Sequence, residues 1–229
     1  MISNILLQPA GEPEGYEAQL AALGLEPKHF DRILRMSEQS RREGTTKDDA
    51  KNAPGSQDYF TRVRELRHAL RTELGWHPYD PLQAPLIVNE DKTVGIGVLL
   101  GDHRTGLSGS PHPRSKRPAG VTKERAVARN QNLQLPFEEP EFVEPDGSQP
   151  DADDYALMET WYLLTHRHEA RATGLVTVRS ELSIPDRVGP GGRVDSYQRR
   201  ILLPAIEFPS VKDYAVETTG DHVVSVEER

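Results

Sequence analysis

The sequence predicts an α+β fold: an antiparallel β-sheet built from hairpins, with a packed amphipathic helix and an N-terminal helical hairpin. Three observations carry this. Apolar residues alternate along 94–100 and 176–184, the two-residue period of a strand with one buried face. Over 58–75 the period changes: Phe60, Val63, Leu66, Leu70 and Leu74 form a stripe about 100° wide on a helical wheel. Residues 14–44 carry helix start and stop signals and no strand period. With 35% apolar residues, 18 Pro and 18 Gly, long irregular connections are expected between these elements.

Taken in order, EGYEAQLAALGL (14–25) and EPKHFDRILRMSEQSRREG (26–44) read as two helices, with Pro27 at a start and Gly44 at a stop. Phe30, Ile33 and Leu34 give the second an apolar stripe, so the hairpin needs a surface to pack on. TTKDDAKNAPGSQ (45–57) has no period and no apolar anchor and reads as a flexible linker. Ser56 is the expected N-cap of the next helix and Gly75 its stop, with Arg64, Arg67 and Arg71 together on one flank. PLIVNEDKTVGIGVLL (85–100) is a hairpin around a polar turn, and Gly95 and Gly97 leave one strand face bare for a close neighbour.

A Gly/Pro-rich basic loop follows, then a short helix VTKERAVARNQN (121–132). Residues 138–154 hold eight acidic residues and no basic one, which reads as an exposed loop. METWYLLTHRH (158–168) and GLVTVRSELSIP (174–185) form a long hairpin whose Trp161, Tyr162, Leu163 and Leu164 are core. QRRILLPAIEF (198–208) is a further strand, placed at an edge by Pro204, with Arg199 and Arg200 on a solvated border. The expected divisions are thus a helical hairpin (1–44), a linker (45–57), an α+β core domain (58–208) and a tail (209–229) with a short strand at Val223–Val226.

Composition excludes several classes. There are no cysteines, hence no disulfide, no thiolate nucleophile and no Cys-ligated metal. No apolar run reaches the roughly 18 residues of a membrane span, and the N-terminus lacks the basic and apolar regions of a signal peptide. The chain therefore reads as cytoplasmic and without membrane contact. A net charge of −8 argues against general DNA affinity, so any anion contact must come from local segregation of charge.

That segregation is present. Between His103 and Arg129 stand seven basic residues, Arg104, Arg114, Lys116, Arg117, Lys123, Arg125 and Arg129, and one acid, Glu124. Gly120 and Thr122 precede the short helix, a setting in which backbone N–H groups favour phosphate. The spacing matches neither a P-loop nor a dinucleotide fingerprint. The expected anion or nucleic-acid surface comprises Arg64, Arg67, Arg71, Arg104, Arg114, Lys116, Arg117, Lys123 and Arg125. No aromatic residue lies between 80 and 136 to stack on unpaired bases.

Two other constellations carry chemistry. Asp80 followed by Glu90-Asp91-Lys92 resembles, over four residues, the metal-dependent nucleases of the PD-(D/E)xK type, in which two carboxylates hold Mg²⁺ and Lys serves the attacking water. An ordinary hairpin turn accounts for the same residues. His166 and His168 lie two apart on a strand and would share a face toward a metal. The leading expectation is a non-catalytic binding or accessory protein without a cofactor, contacting nucleic acid or an acidic partner protein. The alternatives are a Mg²⁺-dependent phosphodiesterase and a structural subunit of a larger assembly.

Overall fold

Helix and strand boundaries follow the periodicities closely. The computed structural model describes residues 15–44, 46, 48–133 and 157–209. Four helices, α1 (Tyr16–Ala21), α2 (Pro27–Glu43), α3 (Ala53–Leu74) and α4 (Val121–Asn132), accompany six strands. The strands are β1 (His77–Tyr79), β2 (Leu86–Val88), β3 (Val94–Leu100), β4 (Glu159–Glu169), β5 (Val176–Gly189) and β6 (Arg193–Phe208). They form one sheet in chain order β1 to β6. The fold is α+β, with a mostly antiparallel sheet and the hairpins β4-β5-β6. No helix among the described residues is long and apolar enough to cross a membrane.

One pairing departs from the expected antiparallel pattern: β3 and β4 run parallel, with Ile96 opposite Trp161. A parallel neighbour needs a long crossover, and the connection holding the basic loop and α4 supplies it. Strand alternation then gives the sheet two apolar faces. On one, Ile87, Ile96, Val98, Trp161, Leu163, Leu182, Ile184 and Ile201 pack with Leu20, Leu25, Phe30, Ile33, Leu66 and Leu70 of the N-terminal helices. The N-terminal hairpin therefore closes the main core together with α3. On the other face, Leu86, Val88, Leu99, Tyr162, Leu164 and Tyr197 pack with Val127 of α4.

The bare face of β3 meets the close neighbours expected of it. A Cβ on Gly95 would stand 2.7 Å from Met158 Sδ, and one on Gly97 2.7 Å from Leu86 Cδ2 and 2.9 Å from the Tyr162 ring. Part of the expected linker is helical instead: α3 begins at Ala53 with Pro54 in its first turn, where the fixed φ of proline suits a helix start, so Ser56 lies inside the helix. Gly75 ends α3 in the left-handed conformation, at φ 72°. β6 starts five residues earlier than expected and is an edge strand, which accommodates Pro204. The acidic run 138–154 and the strand expected at Val223–Val226 lie outside the described residues.

Candidate functional site

The site is built on the segment between β3 and α4. That segment is fastened along its length. Asp102 N–H donates to Arg114 O, Ser115 N–H to Val194 O and Lys116 N–H to Leu100 O. Gly106 N–H donates to Glu181 at 2.8 Å, Arg200 to Leu107 O at 2.9 Å and Arg179 to His103 O at 2.7 Å. A basic, Gly/Pro-rich stretch is thus an ordered flap, because β5 and β6 bring donors to its carbonyls and a buried carboxylate to one of its N–H groups. Arg200, expected at a solvated border, sits against the fully buried Glu181 at 2.5 Å.

The flap delivers Arg117 to a cavity at the edge of β3. β2 has only three residues, and its pairing ends with Leu86 opposite Gly97. Beyond that pair β2 leaves a gap on this side of β3, which closes farther along where Lys116 N–H meets Leu100 O. The gap is a cavity of about 280 Å³ lined by Gly55, Ser56, Tyr59 and Phe60 of α3, Val98–Leu100 of β3, and Ser115, Arg117 and Lys123. A second cavity, about 210 Å³, continues it past Tyr59, Val98 and Lys123 toward Leu82, Pro85, Gly120 and Thr122. Among the described residues no carboxylate lines either one.

Its chemistry is cationic and aromatic. Burial pushes the Lys123 ammonium below the ordinary lysine range, and Arg117 acts in the same direction. Burial pushes the Tyr59 phenol up, against the charges of Arg67, Arg117 and Arg62. Tyr59 is therefore where the basic flank of α3 and the basic flap meet. Phe60 stands edge to face with Tyr59, ring centroids 5.7 Å apart, and is 65% exposed. The first turns of α3 and α4 both open on the groove, and neither has a side-chain cap, so two positive dipole ends add to the two cations.

The other residues of the expected surface divide. Arg67 clamps the β1–β2 connection, reaching Asp80 at 2.7 Å and Leu86 O at 2.9 Å. Arg129, part of the basic segment but not of that surface, is likewise internal, bonding Met158 O and Thr160. Arg64 lies beside Glu65 at 3.2 Å, and Arg114 reaches Pro190 O at 3.3 Å at the β5–β6 turn. Lys116, Arg71 and Arg125 are exposed, while Arg104 is half-buried on the flap. So Arg117 and Lys123 come together with Tyr59 and Phe60, Arg67 approaches the same phenol, and Arg114 lies elsewhere.

Of the nuclease set, Asp80 is the partner of Arg67, Glu90 is exposed at the β2–β3 turn, and Lys92 holds a φ of 56° in that turn. His166 and His168 share a face of β4, His166 half-buried with its pKa lowered by burial and Arg179, and His168 exposed. Among the described residues no group of three His, Asp or Glu side chains could hold a metal ion.

Sequence reasoning missed Tyr59 and Phe60 as site residues. Phe60 sits on the apolar stripe of α3 and looks like core; its place beside a Tyr at the N-terminal end was the available signal. Comparison with family models, with curated proteins and with solved structures found no match.

Proposed function

We propose that this chain is a binding protein for nucleic acid in its unpaired form, which it receives in the groove along β3. The observation that carries the reading is the meeting of Arg117 and Lys123 with Tyr59 and Phe60 around one cavity. Single-strand binders combine cations that follow the phosphate backbone with rings that accept bases of any identity. The basic flap lacks aromatics of its own, and α3 brings two to it. A narrow groove at a sheet edge suits a single strand better than the broad surface of a duplex.

The test is fluorescence anisotropy with a labelled single-stranded oligonucleotide over a salt series. Wild type binds, and Arg117→Ala with Lys123→Ala weakens binding at least tenfold. The double change also lowers the slope of log K against log salt by about 1.4, since each single-strand phosphate contact contributes about 0.7. Wild-type binding that the double variant retains, slope included, refutes the reading, as does absence of binding by the wild type. Preference for an acidic peptide over the oligonucleotide at the same groove points instead to an acidic partner protein.

A further inference from the structure

The cavity has a third component besides its cations and rings, the backbone of β3. Along this strand the odd residues bond β4: Gly101 N–H donates to Thr165 O, at the end of a ladder that begins with Glu159 N–H on Thr93 O. The even residues face the other way, as Asn89 N–H on Val94 O and Lys116 N–H on Leu100 O establish. Val98 lies between these, past the last pair with β2 and level with Pro85, which has no N–H to give. Its N–H faces the Pro85 carbonyl across that register, but its C=O meets no N–H there and points into the gap as an acceptor. Val98 lines both cavities, with Tyr59 and Lys123 beside it in each.

From this we infer that the cavity takes one unpaired nucleobase, its face on the Phe60 ring with Tyr59 at its edge, an N–H of its pairing edge on Val98 C=O, and its phosphate on Arg117 and Lys123. The inference rests on the nucleic-acid reading above and adds the base pocket to it. Size agrees: about 280 Å³ is just below the roughly 300–1,000 Å³ of drug-sized ligand sites, room for one planar heterocycle and not for a stacked pair. Chemistry agrees as well, because every base carries an N–H donor on its pairing edge, and the Val98 carbonyl is an acceptor opposite a residue with no N–H. The exposed face of Phe60 needs no rearrangement to accept a ring.

The experiment compares a tetranucleotide with the abasic sugar-phosphate oligomer of the same length, against wild type, Phe60→Ala and Phe60→Trp, with circular dichroism to establish folding. The tetranucleotide binds wild type about tenfold more tightly than the abasic oligomer, Phe60→Ala removes that difference, and Phe60→Trp keeps it. In a parallel titration with a nucleoside monophosphate, the Val98 carbonyl-carbon resonance shifts and that of Ile87, paired within the sheet, does not. If the abasic oligomer binds as well as the tetranucleotide, or Phe60→Ala leaves the tetranucleotide unaffected, while loss of Arg117 and Lys123 still weakens both, the base pocket is wrong and the basic groove stands. If wild type binds neither oligomer, the nucleic-acid reading itself fails, and the pocket with it.

Discussion

Glu181 offers the sharpest test of how the flap is held over the sheet. Its side chain is fully buried and accepts from Arg200 Nε at 3.0 Å, from Ser183 Oγ at 2.8 Å and from Gly106 N–H at 2.8 Å. Arg200 is itself 11% exposed at the side chain and has one further acceptor, Leu107 O. In Glu181→Ala the guanidinium loses its counter-charge in a dry site, and breaking a buried pair from one side costs about 3–5 kcal/mol. Arg200→Leu leaves the carboxylate stranded and should cost a similar amount. The double change strands no charge and forfeits mainly the bonds to Gly106, Ser183 and Leu107, about 1 kcal/mol each as net hydrogen bonds. The double variant is therefore expected to lie about 3 kcal/mol below wild type, far less than the sum of the two single losses. Urea unfolding followed by circular dichroism reads all four proteins. Single variants that lose less than about 1 kcal/mol, or a double variant whose loss equals the sum of the two, would refute a buried pair that acts as a unit.

Two further outcomes follow from the same geometry. Gly97→Ala places a methyl 2.7 Å from Leu86 and 2.9 Å from the buried Tyr162 ring, an overpacking cost of about 1–3 kcal/mol, whereas Gly95→Ala meets mainly the flexible Met158 and should cost less. Thermal denaturation ranks them, and a Gly97→Ala protein melting with wild type would contradict the tight approach at β3. The Lys123 pKa is depressed, so its ammonium discharges at lower pH than an ordinary lysine, and Arg117 and Tyr59 are the groups that face it. Oligonucleotide affinity should accordingly fall as pH rises through that lowered pKa, below the ordinary lysine value of about 10.4. Lys123→Arg, charged throughout, should remove the fall, and identical pH profiles for the two proteins would count against Lys123 as a ligand contact.

The sequence disclosed the hairpins most directly. Alternation over 94–100 and 176–184 is a local property, and the bounds of α4 came from propensity and flanking residues alone. Strand direction is not local. Nothing in METWYLLTHRH distinguishes a parallel from an antiparallel neighbour, since that depends on how the chain between β3 and β4 crosses the sheet. The basic flank of α3 was misjudged for a different reason. Charge at an exposed helical position looks like solvated surface, yet Arg67 has a fork of donors long enough to reach three acceptors on the β1–β2 connection. Arg200 escaped in the same way, because the acid that buries it is on another strand.

Phe60 shows how the site and the fold are one problem. On the wheel it belongs with Leu66 and Leu70, and those two are buried as expected. What differs is the surface beneath them. Leu66 and Leu70 lie in a core shared with β2, β3 and β4, whereas the first turns of α3 extend over the stretch of β3 that β2 is too short to flank. The apolar stripe thus runs past the end of the sheet that should receive it, and its last ring stands over a gap with Val98 at the back and Arg117 and Lys123 at the side. Three features follow from one short strand: an exposed ring, a backbone carbonyl at Val98 with no N–H opposite it, and room for the flap to bring charge alongside. A residue with an N–H in place of Pro85 would give the Val98 carbonyl a partner and extend the pairing of β2 past Gly97. The apolar stripe, the hairpin turn and the basic run were each legible alone; their coincidence depends on the length of β2 relative to β3, which only pairing in three dimensions decides.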